Sequence, residues 1–504
     1  VAVAALLLAL PACISVPFDY PREASSASPP GNDTPMGEDA LRWQGEHGEN
    51  SGFLALAQGV EGLGARLKMI ELAGATIDAQ YFLIKPDRAG ALFAGKLLLA
   101  ADRGVKVRLL LDDIFTEAPD GAMALLNTHP NIEVRLFNPM SRKSFKYWNY
   151  LLDFKRANRR MHNKSFTVDG SLSIVGGRNI AEEYFDLNDK VLFDDYEVLT
   201  IGPVVEQISA GFDEFWNNDL AVPMEAFGIE VDATDLRRWR DKMQNTINNS
   251  EQGIYGTAVN TALVQDILND RLQPLVAPGT LITDSPEKLK SAIGDRDQAT
   301  LATEIGRRFR AAESEIVIIT PYFVPLKQGL EALTRLLDRG VRVIVITNSL
   351  ASNNHTAVHS GYARYRKPLL LAGAELYEIK ADAVTDAPHR EVNPKTVTLH
   401  TKATIVDRKT VFIGSLNFDP RSVDINTEMG LFIDSEEAGI GLYRSVEASL
   451  ALTTYRLSLD DKGNLQWNYS LEGQTQILDR EPLASFGRRF MAGCYGLLPL
   501  ENQL

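Results

Sequence analysis

Cysteine is nearly missing. The 504 residues hold two, Cys13 and Cys494, which excludes a disulfide framework, and no Cys/His cluster has the spacing of a zinc site. Neither metal-dependent chemistry nor a bound cofactor is expected. Positive charge is also short, with 52 Lys+Arg against 66 Asp+Glu and a formal charge of -14. A protein so acidic is a poor generic binder of DNA or RNA, whose affinity comes largely from phosphate neutralisation. No nucleic-acid partner is expected, and any anionic substrate must be met by a local group of cations. Beyond the first residues no run reaches the roughly 18 apolar positions of a membrane-spanning helix. What is present is a folding composition, 45% hydrophobic and 23% charged, with room for two core-forming units.

Residues 1–10 (VAVAALLLAL) are almost uniformly apolar and run into Pro11-Ala12-Cys13, which reads as the hydrophobic part of a secretory signal. A buried N-terminal strand or helix is the alternative. Residues 21–40 are rich in Pro, Ser, Gly and acids and look like a tether. Leu10-Pro11-Ala12-Cys13 resembles a bacterial lipobox, which implies a chain anchored by lipid at Cys13, in the bacterial cell envelope and facing the periplasm. The expected organisation is a signal over 1–13, a flexible tether over 14–45, a first half over 46–223, a helical connection over 224–290, a second half over 291–456, and a C-terminal extension over 457–504. The extension mixes basic and aromatic residues near its end (Phe486, Arg488, Arg489, Phe490, Met491, Tyr495), as a packed element or an interfacial one would.

The two halves repeat. Residues 76–84 (TIDAQYFLI) match 316–325 (IVIITPYFVP), pairing Tyr81-Phe82 with Tyr322-Phe323, and amphipathic stretches then lead to RGVKVRLL at 103–110 and RGVRVIVI at 339–346. Strand, helix, glycine turn and strand make a βαβ unit, present twice, with Gly104 and Gly340 just past each helix where a left-handed residue is needed. Two α/β halves with buried strands follow.

The chemistry lies in a second repeat. Residues 161–169 (MHNKSFTVD) and 399–407 (LHTKATIVD) both read His-x-Lys-x4-Asp: His162, Lys164, Asp169 and His400, Lys402, Asp407. Among seven histidines, a double chance occurrence has odds of roughly one in ten thousand, which removes an incidental reading. Asn179 and Asn417 follow at the same distance from each histidine, in GGRN and GSLN. Strand alternation turns each histidine and lysine to one face and the aspartate to the other, which makes Asp169 and Asp407 orienters rather than reacting groups. Two imidazoles, two ammonium groups and two amides suit a phosphoryl centre, where cations and amides stabilise the charge developing on oxygen.

These residues carry a family resemblance. The duplicated motif with its trailing Gly-Gly/Ser-x-Asn resembles the phospholipase D superfamily over about residues 54–457. The stretches RRMHNK (159–164), TNSLASN (347–353), HSGYAR (359–364) and NFDPRS (417–422) are most similar to the bacterial cardiolipin synthases, the type C group above all. The resemblance implies two duplicated α/β sandwich halves forming one catalytic unit with a shared active site, and a phosphatidyltransferase working through a covalent phosphohistidine. It would move a phosphatidyl group from phosphatidylethanolamine or phosphatidylglycerol to phosphatidylglycerol. Water as acceptor would make it a phospholipase D hydrolase releasing phosphatidic acid, and a phosphodiesterase or nuclease is the more distant alternative. The implied partners are phospholipid substrates and a membrane surface, with the oligomeric state left open.

Each imidazole needs a partner on its second nitrogen. Glu428 and Glu197, which open the strands EMGLFI and EVLTI, are candidates supported by resemblance to the superfamily's histidine-orienting carboxylate, with Asp195 a competitor in the first half. His359 is a candidate substrate contact by the same resemblance. From Arg142 to Lys164 lie eight basic residues against the single acid Asp153, interleaved with Phe145, Tyr147, Trp148, Tyr150 and Phe154. This stretch could rest on anionic headgroups, line a groove for nucleic acid, or be a solvated basic loop.

Overall fold

The computed structural model describes residues 16–143, 150, 152–249, 253–268, 271, 273–292, 300–383, 395–471, 473–499 and 501–504. Cys13 and the signal-like segment lie outside the described residues, as do Phe145, Lys146, Tyr147 and Trp148 of the basic stretch.

Both βαβ units form as the pattern dictates. Thr76–Tyr81 pairs in parallel with Lys106–Asp112 across the helix Arg88–Asp102, and Glu315–Ile319 pairs in parallel with Arg342–Asn348 across the helix Leu326–Asp338. Gly104 and Gly340, at φ of 101° and 84°, turn the chain from helix to strand in a region that a side chain would strain. In each half the motif strand, Ser165–Val168 or Ala403–Val406, lies antiparallel beside the first of these strands. Among the described residues the sheets grow to nine and ten strands.

Alternation along the strands sets the layers. In the second half Ile316, Ile318, Val343 and Val345 face the outer helices, while Val317, Ile319, Ile344 and Ile346 face the other way. That inner face is covered partly by the helix Glu436–Thr453 and partly by the other half, where Val175 and Val198 join Ile413 and Leu431 in one core. The helix Val204–Trp216 plays the covering part in the first half. The molecule is two α/β sandwiches joined through a shared apolar layer.

The structure corrects three boundary readings. Residues 16–34 are not a free tether: the Arg22 guanidinium donates to the carbonyls of Asp219 and Ala221 at 2.8 and 2.7 Å, Ala27 N–H donates to Asp213, and Arg135 donates to the Glu23 carbonyl. The strap ends in a helix, Pro35–His47, whose Thr34 cap accepts from Gly37 N–H. The connection over 224–290 starts with helices but closes with two strands, Leu275–Ala277 on the edge of the first sheet and Gly279–Thr283 on the edge of the second, so it stitches the halves together. In the extension, Leu465–Leu471 and Gln474–Leu478 lengthen the second sheet before the helix Phe486–Gly496. No helix among the described residues is long and apolar enough to cross a membrane.

Candidate active site

Both motif aspartates open the three-residue turn of a hairpin, at φ of 51°. Their carboxylates face away from the histidines: Asp169 accepts from the backbone N–H groups of Gly74, Ala75 and Thr76, and Asp407 from those of Glu313, Ser314 and Glu315. They tie each motif strand to the start of its neighbour, the orienting role that the alternation predicts. The same bonds fix the true register of the repeat, with Thr76 equivalent to Glu315. Backbone bridges from Ile84 to Ile180 and from Phe323 to Phe418 agree. Tyr81-Phe82 therefore does not correspond to Tyr322-Phe323; the sequence match is slipped by two residues, which strand periodicity tolerates because a shift of two keeps every side chain on its face.

The residue before each histidine is clamped by the C-terminal end of a parallel strand. Asp112 accepts from Met161 N–H at 3.0 Å, and Asn348 accepts from Leu399 N–H at 2.8 Å. The histidines then cross to the opposite half. His162 N–H donates to the Thr427 carbonyl at 3.0 Å, and His400 N–H to the Asp194 carbonyl at 2.7 Å. The next residue supplies the carboxylate: His162 Nδ1 lies 2.9 Å from Glu428, and His400 Nδ1 lies 2.6 Å from Asp195. Each imidazole is thus oriented by the half to which it does not belong. With Nδ1 donating, Nε2 is left with its lone pair.

Asp195, not Glu197, is the counterpart of Glu428. Glu197 opposes Gly176 and Gly430 opposes Gly414, which sets Asp195 and Glu428 at equivalent positions two residues earlier. Among the described residues Glu197 meets no histidine; it is buried in an ion pair with Arg66 and reaches Arg178 at 3.3 Å. Gly177 has to be glycine, since a Cβ there would collide with the Asp195 carboxylate. At the equivalent place Ser415 instead donates its hydroxyl to Glu428.

The centre is almost dry. His162 and His400 are 8% and 7% exposed, and both lysines are buried. Burial, with Lys164 adding to it, outweighs Glu428 and pushes His162 down to about 4; burial and Lys402 push His400 down to about 3. Burial also lowers Lys164 to about 7 and Lys402 to about 8. Lys402 acts on His162 and Lys164 on His400, so the four groups share one chamber. Against the cost of burial, Lys402 and His400 hold Asp195 below the usual carboxylate range, and His162 and Lys164 do so for Glu428. Each lysine donates to the carbonyl of its own histidine.

The two asparagines differ. Asn179 accepts from Leu83 N–H and donates to the Tyr184 hydroxyl, whereas Asn417 Oδ1 is buried with no hydrogen-bond partner among the described residues. Aromatic walls that sequence reasoning passed over complete the chamber: Phe82 meets His162 edge-on at 4.9 Å, Phe193 stacks on His400 at 5.2 Å, and Tyr184 meets it edge-on at 5.1 Å. His359 is buried against Tyr362, 3.6 Å from Glu481.

The arginines of the basic stretch before His162 are held by partners, while Lys143 and Lys155 are exposed and residues 144–149 lie outside the described residues. Arg142 is committed to Asp113 and Asp120, Arg156 to Asp153 and Asn138, Arg159 to backbone carbonyls of Leu289 and Ser291, and Arg160 to Asp112 and the Asn138 carbonyl. These arginines build the wall that carries the histidine.

A chamber made of two His-x-Lys-x4-Asp half-sites on paired α/β sandwiches defines a phospholipase D-like enzyme. The chain matches the family model "Cardiolipin synthase, PLD-like domain" over residues 67–216 and 305–445, one match per half. It belongs to this family, and with it to the phosphatidyltransferases of the phospholipase D superfamily. Among its relatives, cardiolipin synthase C of Escherichia coli is 37% identical over 460 residues, covering 90% of this chain and 97% of that protein. A cardiolipin synthase of Oceanobacillus iheyensis is 24% identical over 81% of this chain and 70% of its own. The phosphatidylserine synthase of Haemophilus influenzae shares the fold, with a TM-score of 0.55 over 83% of this chain and 91% of that one at 14% identity.

Proposed function

We propose that this chain synthesises cardiolipin, moving a phosphatidyl group from phosphatidylethanolamine or phosphatidylglycerol to the glycerol hydroxyl of a phosphatidylglycerol, through a phosphohistidine. The observation that carries the reading is the crossed pairing: two neutral imidazoles, each fixed at Nδ1 by a carboxylate of the other half, beside two buried lysines. His162 Nε2 attacks phosphorus as the bond to the leaving alcohol breaks, and His400 gives that alcohol its proton. The acceptor hydroxyl then returns a proton to His400, its oxygen attacks phosphorus, and the P–N bond breaks to free His162. Burial holds the imidazoles low and the two ammonium groups add to it; the diester's negative charge offsets the second contribution, so His400 carries a proton more readily in the complex than in the free enzyme. Lys164, Lys402 and Asn417 hold the phosphoryl oxygens, while Asp169 and Asp407 act through the backbone. The similarity to cardiolipin synthase C over nearly its whole length supports the choice of acceptor. An acylated Cys13 holding the protein at the periplasmic side of the cell envelope belongs to the same proposal.

Mass spectrometry of products from mixed phosphatidylethanolamine and phosphatidylglycerol vesicles tests it. Cardiolipin should dominate; phosphatidic acid as the main product would make the enzyme a hydrolase. His400→Asn should trap a phosphatidyl group on the peptide containing His162, and a trapped group on residue 400 in His162→Asn would reverse the two roles.

A further inference from the structure

The helix Phe486–Gly496 keeps an apolar stripe in solvent. None of its residues is buried, and Phe486, Phe490 and the C-cap Leu497 are 78%, 62% and 86% exposed. Their spacing of four and seven residues puts them in one stripe. Toward the helix Thr356–Leu371 the chain turns Tyr495, which with Leu498 lines a gap against Ala357, Ser360, Gly361 and Arg364. A soluble surface rarely keeps a continuous apolar stripe without a use for it.

Where the helix sits gives the stripe its meaning. Arg488 donates to the carbonyls of Ala351 and Asn353, and between them the Ser352 carbonyl accepts from Thr398, two residues before His400. The residues beyond the helix reach the other lip of the chamber. Gln503 accepts from Asn158, Asn158 accepts from Arg421 at 2.7 Å, and Arg421 N–H donates to the Leu504 carbonyl. On that lip Leu152 and Phe154 are exposed, Lys155 beside them is exposed, and Phe115 is exposed against Phe82, the ring that meets His162. Exposed apolar groups therefore stand beside the segments that hold both histidines.

We infer that the outer stripe of the helix Phe486–Gly496 is the surface by which the enzyme enters the interfacial zone of a phospholipid bilayer, setting the chamber mouth at headgroup depth. An apolar stripe beside arginines is the composition of a helix lying in a membrane interface. A phosphodiester at headgroup depth reaches a buried site with least displacement when the mouth itself is immersed. This inference rests on the proposed lipid chemistry for its occupant.

The test uses the full chain carrying Cys13→Ser, which removes any acyl anchor, with and without Phe486→Ser, Phe490→Ser and Leu497→Ser. Sedimentation with phosphatidylethanolamine and phosphatidylglycerol vesicles should show the triple variant partitioning at least roughly tenfold more weakly. Its turnover on vesicle lipid should fall in step, while turnover on detergent-dispersed lipid stays within about twofold and the thermal midpoint is unchanged. Cys494, exposed and then the sole cysteine, takes a bimane label whose emission should shift to the blue when vesicles are added. Equal partitioning of the two proteins, or an unresponsive label, overturns the inference. A dimer that the triple variant loses while vesicle binding persists would overturn it too and give the stripe to a second copy of the chain. Partitioning and emission are read without product, so a chain that docks yet makes no cardiolipin sinks the proposed function and leaves this face standing.

Discussion

Asp195 holds the imidazole of His400, whereas Glu197, two residues on, neutralises Arg66 and Arg178, so replacing the two carboxylates should give opposite defects. Asp195→Asn should leave the denaturant midpoint nearly unchanged and cut turnover by about 10³–10⁴-fold, because the amide no longer fixes the reactive tautomer. Glu197→Gln should cost about 3–5 kcal/mol of stability by stranding buried guanidinium charge, with turnover of the folded fraction kept. Comparable activity losses in both would mean that Glu197 belongs to the chemistry after all. The lysines set the pH dependence. Lys164 and Lys402, at about 7 and about 8 in the empty chamber, are charged below those values and lose the proton as pH rises through them. A bound anionic diester favours the charged form, so kcat/KM should fall above about pH 7, more steeply above about pH 8, while kcat holds to higher pH. A pH–rate profile in which both fall together at the alkaline end would contradict this.

At the scale of the element, the hairpin that closes each motif strand depends on one carboxylate serving three backbone N–H groups. Asp169 is buried and Asp407 half-buried, so Asp169→Ala should cost about 2–4 kcal/mol and Asp407→Ala less, because water reaches the orphaned donors of the second. Urea unfolding measures both, and an equal cost would show that burial does not set the penalty. Such elements were legible in the sequence: periodicity gave both βαβ units, and the motif spacing gave His162, Lys164, His400 and Lys402 as one cluster with the aspartates turned away. Register was not legible. Tyr81-Phe82 was matched two residues off, and Glu197 was preferred to Asp195 two residues off, for one physical reason: a step of two along a strand preserves facing. Asp112 and Asn348 were missed although both close a strand after Arg-Gly-Val, because their role is to hold a backbone N–H, which leaves no mark in composition. Residues 16–34 misled for the opposite reason. Their Pro and Ser content describes a chain without secondary structure of its own, and such a chain can still be bound along its length by Arg22, Arg108 and Arg135.

Over the whole molecule, Val175 and Val198 share one core with Ile413 and Leu431, and one backbone bridge, Met161 to Thr427, and one short parallel ladder, Thr396–Leu399 with Val191–Asp194, cross between the halves beside the histidines. The halves should therefore unfold as one unit. Calorimetry should give a single transition with matching calorimetric and van't Hoff enthalpies, and Leu431→Ala should shift all of it at a cost of about 2–5 kcal/mol. Two resolved peaks would show that each sandwich stands alone.

The crossed pairing also governs when the enzyme can first act. Glu428 lies 266 residues beyond His162. A growing chain that has already released its first half from the ribosome carries a histidine without its carboxylate and an aspartate, Asp195, without its histidine. No chain that stops short of Glu428 holds both pairs, so the phosphatidyltransferase stays inert until that residue has been made. The order of translation works as a safety catch that needs no inhibitor and no propeptide.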